Sequence, residues 1–142
     1  YEFPNAKPIE RKNWLGADLI FDMDLPGGKY ELYSKFGKIH DELVRLVKDF
    51  LINDFGINMS DIVPVFSGSK GFHVHVRSNK FKSLGSGERR EIVDYISGIG
   101  FSYTSFMLVE KIGRSLKITG PHPNDGGYPG RFARMVVHIL KT

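Results

Sequence analysis

The sequence contains no cysteine. That excludes disulfides and thiolate metal sites, so any bound metal must be held by oxygen or imidazole nitrogen, and it suits a cytoplasmic protein. No apolar run approaches a bilayer span and the N-terminus has no leader-like pattern, which predicts no contact with a membrane. Internal repeats and low-complexity segments are also missing. The chain opens on Tyr1 rather than methionine, which points to a processed protein or an excised piece. What is present is ordinary for a globular protein. The 142 residues are 41% hydrophobic and 25% charged, enough to build one domain over residues 1–142 with a real core. A formal net charge of +4 leans mildly towards an anionic partner.

The stretch Ala17-Asp18-Leu19-Ile20-Phe21-Asp22-Met23-Asp24 organises the rest. Its apolar run reads as a strand over 16–24, buried on both faces. Side chains alternate along a strand, so Asp22 and Asp24 fall on the same side, roughly 7 Å apart. Two carboxylates that close repel unless neutralised, and they suit a hard divalent cation, Mg²⁺ or Mn²⁺. The alternative is that Asp22 ends the strand and Asp24 opens the turn at Leu25-Pro26-Gly27-Gly28.

Residues 1–14 read as an extended lead-in, and 29–33 as a short second strand of a hairpin. Ser34 then caps a helix whose apolar face is Phe36, Ile39, Leu43, Leu46, Val47, Phe50 and Leu51, ended by Gly56. Residues 61–66 and 72–77 form two strands of a hairpin around the turn Ser67-Gly68-Ser69-Lys70-Gly71. A basic loop over 80–87 leads to a helix over 88–99 carrying Ile92, Val93, Ile96 and Ile99, closed by Gly98 and Gly100. Strands over 106–109 and 115–119, a Pro/Gly-rich loop over 120–130 and a last helix starting at Pro129 complete the chain. That helix should bury Phe132, Met135, Val136, Ile139 and Leu140. The order predicts an α/β or α+β fold, a sheet flanked by helices.

The turn at 67–71 has phosphate-binding composition. Glycines 68 and 71 let amides turn inward, and Ser67, Ser69 and Lys70 add donors. It is not a Walker A loop, since no Gly-Lys-Ser/Thr follows, and a solvated hairpin tip has a similar composition. His73 and His75 alternate with Phe72, Val74 and Val76 and so share one strand face. They are candidate metal ligands, or one exposed imidazole and one that hydrogen-bonds a neighbour.

Taken together, the apolar strand ending in Asp22-Met23-Asp24 and the run Phe66-Ser-Gly-Ser-Lys-Gly-Phe-His-Val-His-Val76 resemble the small catalytic subunit of archaeal and eukaryotic DNA primases. Trp14-Leu15-Gly16 and Gly127-Tyr128-Pro129-Gly130-Arg131-Phe132 are similar to segments of archaeal members. The resemblance is strongest over residues 14–76. It implies a catalytic core with an RNA-recognition-motif-like half, and metal-dependent nucleotidyl transfer that makes short primers from nucleoside triphosphates on a single-stranded DNA template. It also implies a primase large subunit as partner and a nucleoid-associated location. By the same resemblance, Asp22 and Asp24 hold the ions, and Ser67, Gly68, Ser69, Lys70, Gly71 and His73 hold the triphosphate. His75 has no assigned part. Arg131 and Arg134 are either template-phosphate contacts or the wet face of the last helix. The family's third aspartate and its later basic motif have no counterpart here; Glu110 is the one internal candidate, in unconvincing surroundings. Cysteines of the family's zinc insert are absent. Other readings are a primase-polymerase or end-joining polymerase of the same superfamily, a non-catalytic nucleic-acid-binding domain, and a metallohydrolase built on His73 and His75.

Overall fold

The structure is a computed structural model. It describes every residue except Gly28, Ser69 and Thr142, and the side chains of all the others except Lys29, Tyr30 and Leu32. The fold is α/β. A three-stranded antiparallel sheet is formed by β1 (Leu19–Asp24), β2 (Ile62–Phe66) and β3 (Gly71–Val76), in the order β1-β3-β2. Between β1 and β2 runs α1 (Lys29–Arg45), which widens into a π-helix over Leu46–Asp54. Phe55 N–H reaches Phe50 O at 2.9 Å at its end, and Gly56, at φ 63°, closes it where a side chain would be strained. A short α2 (Asn79–Lys82) and α3 (Ser86–Ser97) follow β3. The succession β1-α1-β2-β3-α3, with β1 beside β3, supplies the first five elements of the β-α-β-β-α-β pattern of an RNA-recognition-motif-like half; among the described residues no closing strand pairs with the free edge of β1.

Alternation divides the sheet into two unlike faces. On the inner face, Leu19, Phe21 and Met23 of β1 stand opposite Val76, Val74 and Phe72 of β3. Val74 and Val76 are fully buried there, and Leu43, Leu46, Val47, Phe50 and Leu51 of the long helix belong to the same core. Each such side chain stabilises the fold by roughly 1.5–3 kcal/mol. The outer face carries Ile20, Asp22 and Asp24. Ile20 is 53% exposed, so β1 is not buried on both faces as its apolar run suggested. Nor is it central: β3 is the middle strand and β1 an edge.

Other expectations also change. Residues 29–33 are helical, not a strand. β1 takes β3 as its partner instead, and Ser34 lies inside the helix with its hydroxyl donating to Glu31 O at 2.9 Å. The basic loop contains the helical turn α2. Strands β4 (Leu108–Ile112) and β5 (Ser115–Thr119) pair only with each other, and every residue in them is exposed.

The last helix, α4 (Gly127–Lys141), starts two residues earlier than predicted and turns a different face inward. Gly130 and Ala133 are buried, while Met135, Ile139 and Leu140 are 53%, 61% and 79% exposed. A Cβ at Gly130 would collide with Asp125 O of the loop leading into the helix, so the backbone there folds back as closely as glycine allows. Arg131 also points inward: its Nη2 donates to Asp49 O and to Asp54 Oδ2, both at 2.6 Å. Arg131 is thus not part of a wet face. Arg134 Nη1 donates to Pro123 O at 2.6 Å.

Candidate active site

The outer face of the sheet brings together the two motifs singled out in the sequence. β1 and β3 run antiparallel, with Asp22 opposite His73 and Asp24 opposite Gly71. Asp22 Oδ1 lies 3.3 Å from His73 Nε2, and both side chains are well exposed, at 66% and 43%. Asp24 is exposed one pleat further on. Asp22, Asp24 and His73 therefore share one open face beside the glycine turn.

The turn is fastened to both strands. Leu25 N–H donates to Lys70 O at 3.1 Å, and Ser67 N–H to Gly71 O at 2.9 Å. The amides of Lys70 and Gly71 both donate to Ser67 Oγ, at 3.2 and 2.9 Å. In this arrangement they are satisfied within the turn rather than pointed at an incoming anion. Gly68 has a positive φ of 78°, and Lys70 is exposed. Ser69, the remaining member of the predicted phosphate turn, lies outside the described residues. Gly71 is fixed by packing: a Cβ there would run into Met23 O of β1, so only glycine lets the strands close at this end.

The donor set suits a hard cation. Mg²⁺ commonly takes one or two protein carboxylates and completes its shell with water and substrate phosphate. Asp22 and Asp24 offer such a pair on an open face. Glu110 does not join them: it sits in the separate β4–β5 hairpin, opposite Lys117. Among the described residues no three His, Asp or Glu side chains gather as a metal site, and no helix is long and apolar enough to cross a membrane.

A cleft of about 860 Å³ lies between β1 and the helices, lined by Ile20, Phe21, Asp22 and Met23 together with Phe50, Ile96 and Met135; of the acids, the histidine and the turn, only Asp22 borders it. Arg131 forms part of its floor. Asp54 Oδ2 accepts from Arg131 and also from Tyr95 Oη at 2.8 Å, and the guanidinium lies 4.1 Å over the Phe50 ring. Burial, the largest single influence, pulls the Arg131 pKa down, but Asp54 and Tyr95 together outweigh it and the net shift is upward. Sequence reasoning missed this network, and it missed Arg89. The Arg89 guanidinium donates to five backbone carbonyls, those of Ala17, Asp18, Phe81, Leu84 and Lys82. It ties the start of β1 to α2 and the turn after it. No local pattern signals the Arg131–Asp54 contact or the bonds of Arg89 to Ala17 and Asp18, because those partners are distant in sequence.

A family model described as DNA primase small subunit matches residues 21–136. The chain is 48% identical to the DNA primase small subunit PriS of Methanocella arvoryzae, over 99% of this chain and 38% of that protein. Against PriS of Methanosarcina mazei the identity is 47%, over 72% of the chain and 26% of the relative. Against PriS of Thermoplasma acidophilum it is 48%, over 69% and 32%. The chain thus spans well under half the length of these relatives. No solved structure matches it. With the Asp-x-Asp strand and the histidine strand side by side, and the family model covering both, the chain belongs to the DNA primase small-subunit family.

Proposed function

We propose that this chain is the catalytic core of a primase that makes short primers from nucleoside triphosphates on single-stranded DNA, acting together with a primase large subunit. One observation carries the reading: Asp22, Asp24 and His73 share an open sheet face, with Asp22 and His73 in contact at 3.3 Å, beside the turn that holds Lys70. Asp22 and Asp24 would hold the divalent ions, Mg²⁺ or Mn²⁺, with water and substrate phosphate completing the shells. Such ions stabilise the attacking and leaving oxygens of an in-line displacement at phosphorus. Lys70 supplies a point charge to the triphosphate. With an ion on the Asp22 carboxylate, His73 Nε2 would be available to donate to a phosphate oxygen.

The test is primer synthesis by the full-length protein with its large-subunit partner, on a single-stranded template with Mn²⁺. Asp22→Asn and Asp24→Asn should each abolish synthesis while leaving the fold intact, because both side chains are exposed. Retained synthesis in either variant would defeat the assignment.

A further inference from the structure

We propose that the row Ile20–His75–Val63, next to the acids on the same sheet face, is the seat of the nucleotide whose 3′-hydroxyl attacks. The inference rests on the reading of the acids and the turn given above. The sheet register sets three rows across this face. Asp24 stands beside Gly71 at the turn, Asp22 beside His73 and Val65 in the middle, and Ile20 beside His75 and Val63 beyond. Rows are about 7 Å apart along the strands.

The chemistry gives these rows a direction. The attacking 3′-oxygen forms a bond to the α-phosphorus as the bond to pyrophosphate breaks. Pyrophosphate leaves with the electron pair, and the hydroxyl proton passes to solvent. Attack is in line, so attacker and leaving group lie on opposite sides of the phosphorus. With the pyrophosphate at the Lys70 turn and the α-phosphorus over Asp22 and Asp24, the attacker must lie towards Ile20 and His75.

That row is built for a nucleoside and not for an anion. Ile20 is 53% exposed, and Val63 and His75 are half-buried, so an imidazole is offered between two apolar side chains. His75 makes no side-chain hydrogen bond or ion pair with another described residue, unlike His73. Side chains on adjacent strands of an open sheet are the standard platform for stacking bases, and each stacked base contributes enough to change affinity about 5- to 150-fold.

The experiment measures three quantities on the full-length protein with Mn²⁺: the Kd of inorganic tripolyphosphate, the KM of the nucleoside triphosphate, and the KM of a short 3′-hydroxyl primer on a template. His75→Ala and Ile20→Ser should each raise the primer KM about tenfold. Both should leave tripolyphosphate binding and nucleotide KM within about twofold, and His75→Phe should restore the primer KM by keeping a stacking ring. Equal effects on nucleotide and primer, or no effect on primer in either variant, would overturn the inference while leaving the reading of the acids standing. Failure of the unaltered protein to bind Mn²⁺-tripolyphosphate would overturn both.

Discussion

Asp54 and Arg131 stand 2.6 Å apart with side chains only 8% and 18% exposed. Arg131 Nε and Nη1 are buried and find no hydrogen-bond partner among the described residues, although the guanidinium lies over Phe50. Removing the carboxylate would leave a buried charge without compensation, so Asp54→Ala should destabilise the fold by roughly 3–5 kcal/mol. Urea denaturation measures this. The same network governs alkaline stability. Burial, then the Asp54 carboxylate, push the Tyr95 phenol above its ordinary value of 10.0, and burial raises Tyr128 as well. Both phenols then ionise sooner in the unfolded chain than in the folded one. The stability they contribute is fully present below pH about 10 and is lost as pH rises through the folded-state values. Tyr95→Phe should flatten that alkaline fall in a pH series of denaturation midpoints. The sequence hid this site because Arg131 sits at a position that reads as polar and exposed, and its partner is 77 residues away. Asp22 and Asp24 were legible because a period of two is fixed by the strand itself.

Elements were legible where one rule acted alone. The apolar spacing from Ile39 to Leu51 marked the buried face of the long helix, and a glycine-bearing turn marked the β2–β3 hairpin. They were misread where two rules competed. Residues 29–33 alternate well enough for a strand, yet they run without a break into the helical apolar spacing that follows and join the helix. The α4 stripe of Met135, Ile139 and Leu140 has helical period, but the bonds of Arg131 to Asp49 and Asp54 turn a different face inward. Two substitutions test how the sheet is held. Gly71→Ala places a Cβ against Met23 O and should part β1 from β3 at the acid end, costing several kcal/mol or preventing folding. Arg89→Ala removes the guanidinium from five carbonyls and should cost about 2 kcal/mol or more in denaturation experiments, since hydrogen bonds from a charged donor are the stronger kind.

At the scale of the molecule, apolar surface is spread unevenly. Leu108, Val109, Ile112, Leu116 and Ile118 of the β4–β5 hairpin are all more than half exposed. Ile118→Lys should therefore change the stability of this 142-residue chain by no more than about 0.5 kcal/mol. The site is uneven too. Asp22 and Asp24 come from one strand and approach from one direction, and Glu110 lies in another sheet. Misplacing a reacting group by about 1 Å costs about a hundredfold in rate. The 142 residues alone should thus bind nucleotide weakly and make no primers, whereas the full-length protein, with the third aspartate that the family resemblance implies, should make them. The central claim is that Asp22 and Asp24 hold a divalent ion beside His73. Mn²⁺ titrated into the isotope-labelled chain tests it most directly, because the ion broadens NMR signals within a short radius. The account predicts broadening at the amides of Asp22, Asp24, Gly71 and His73 first, lost in the Asp22→Asn/Asp24→Asn double variant. Broadening centred elsewhere, or unchanged in the double variant, would contradict it.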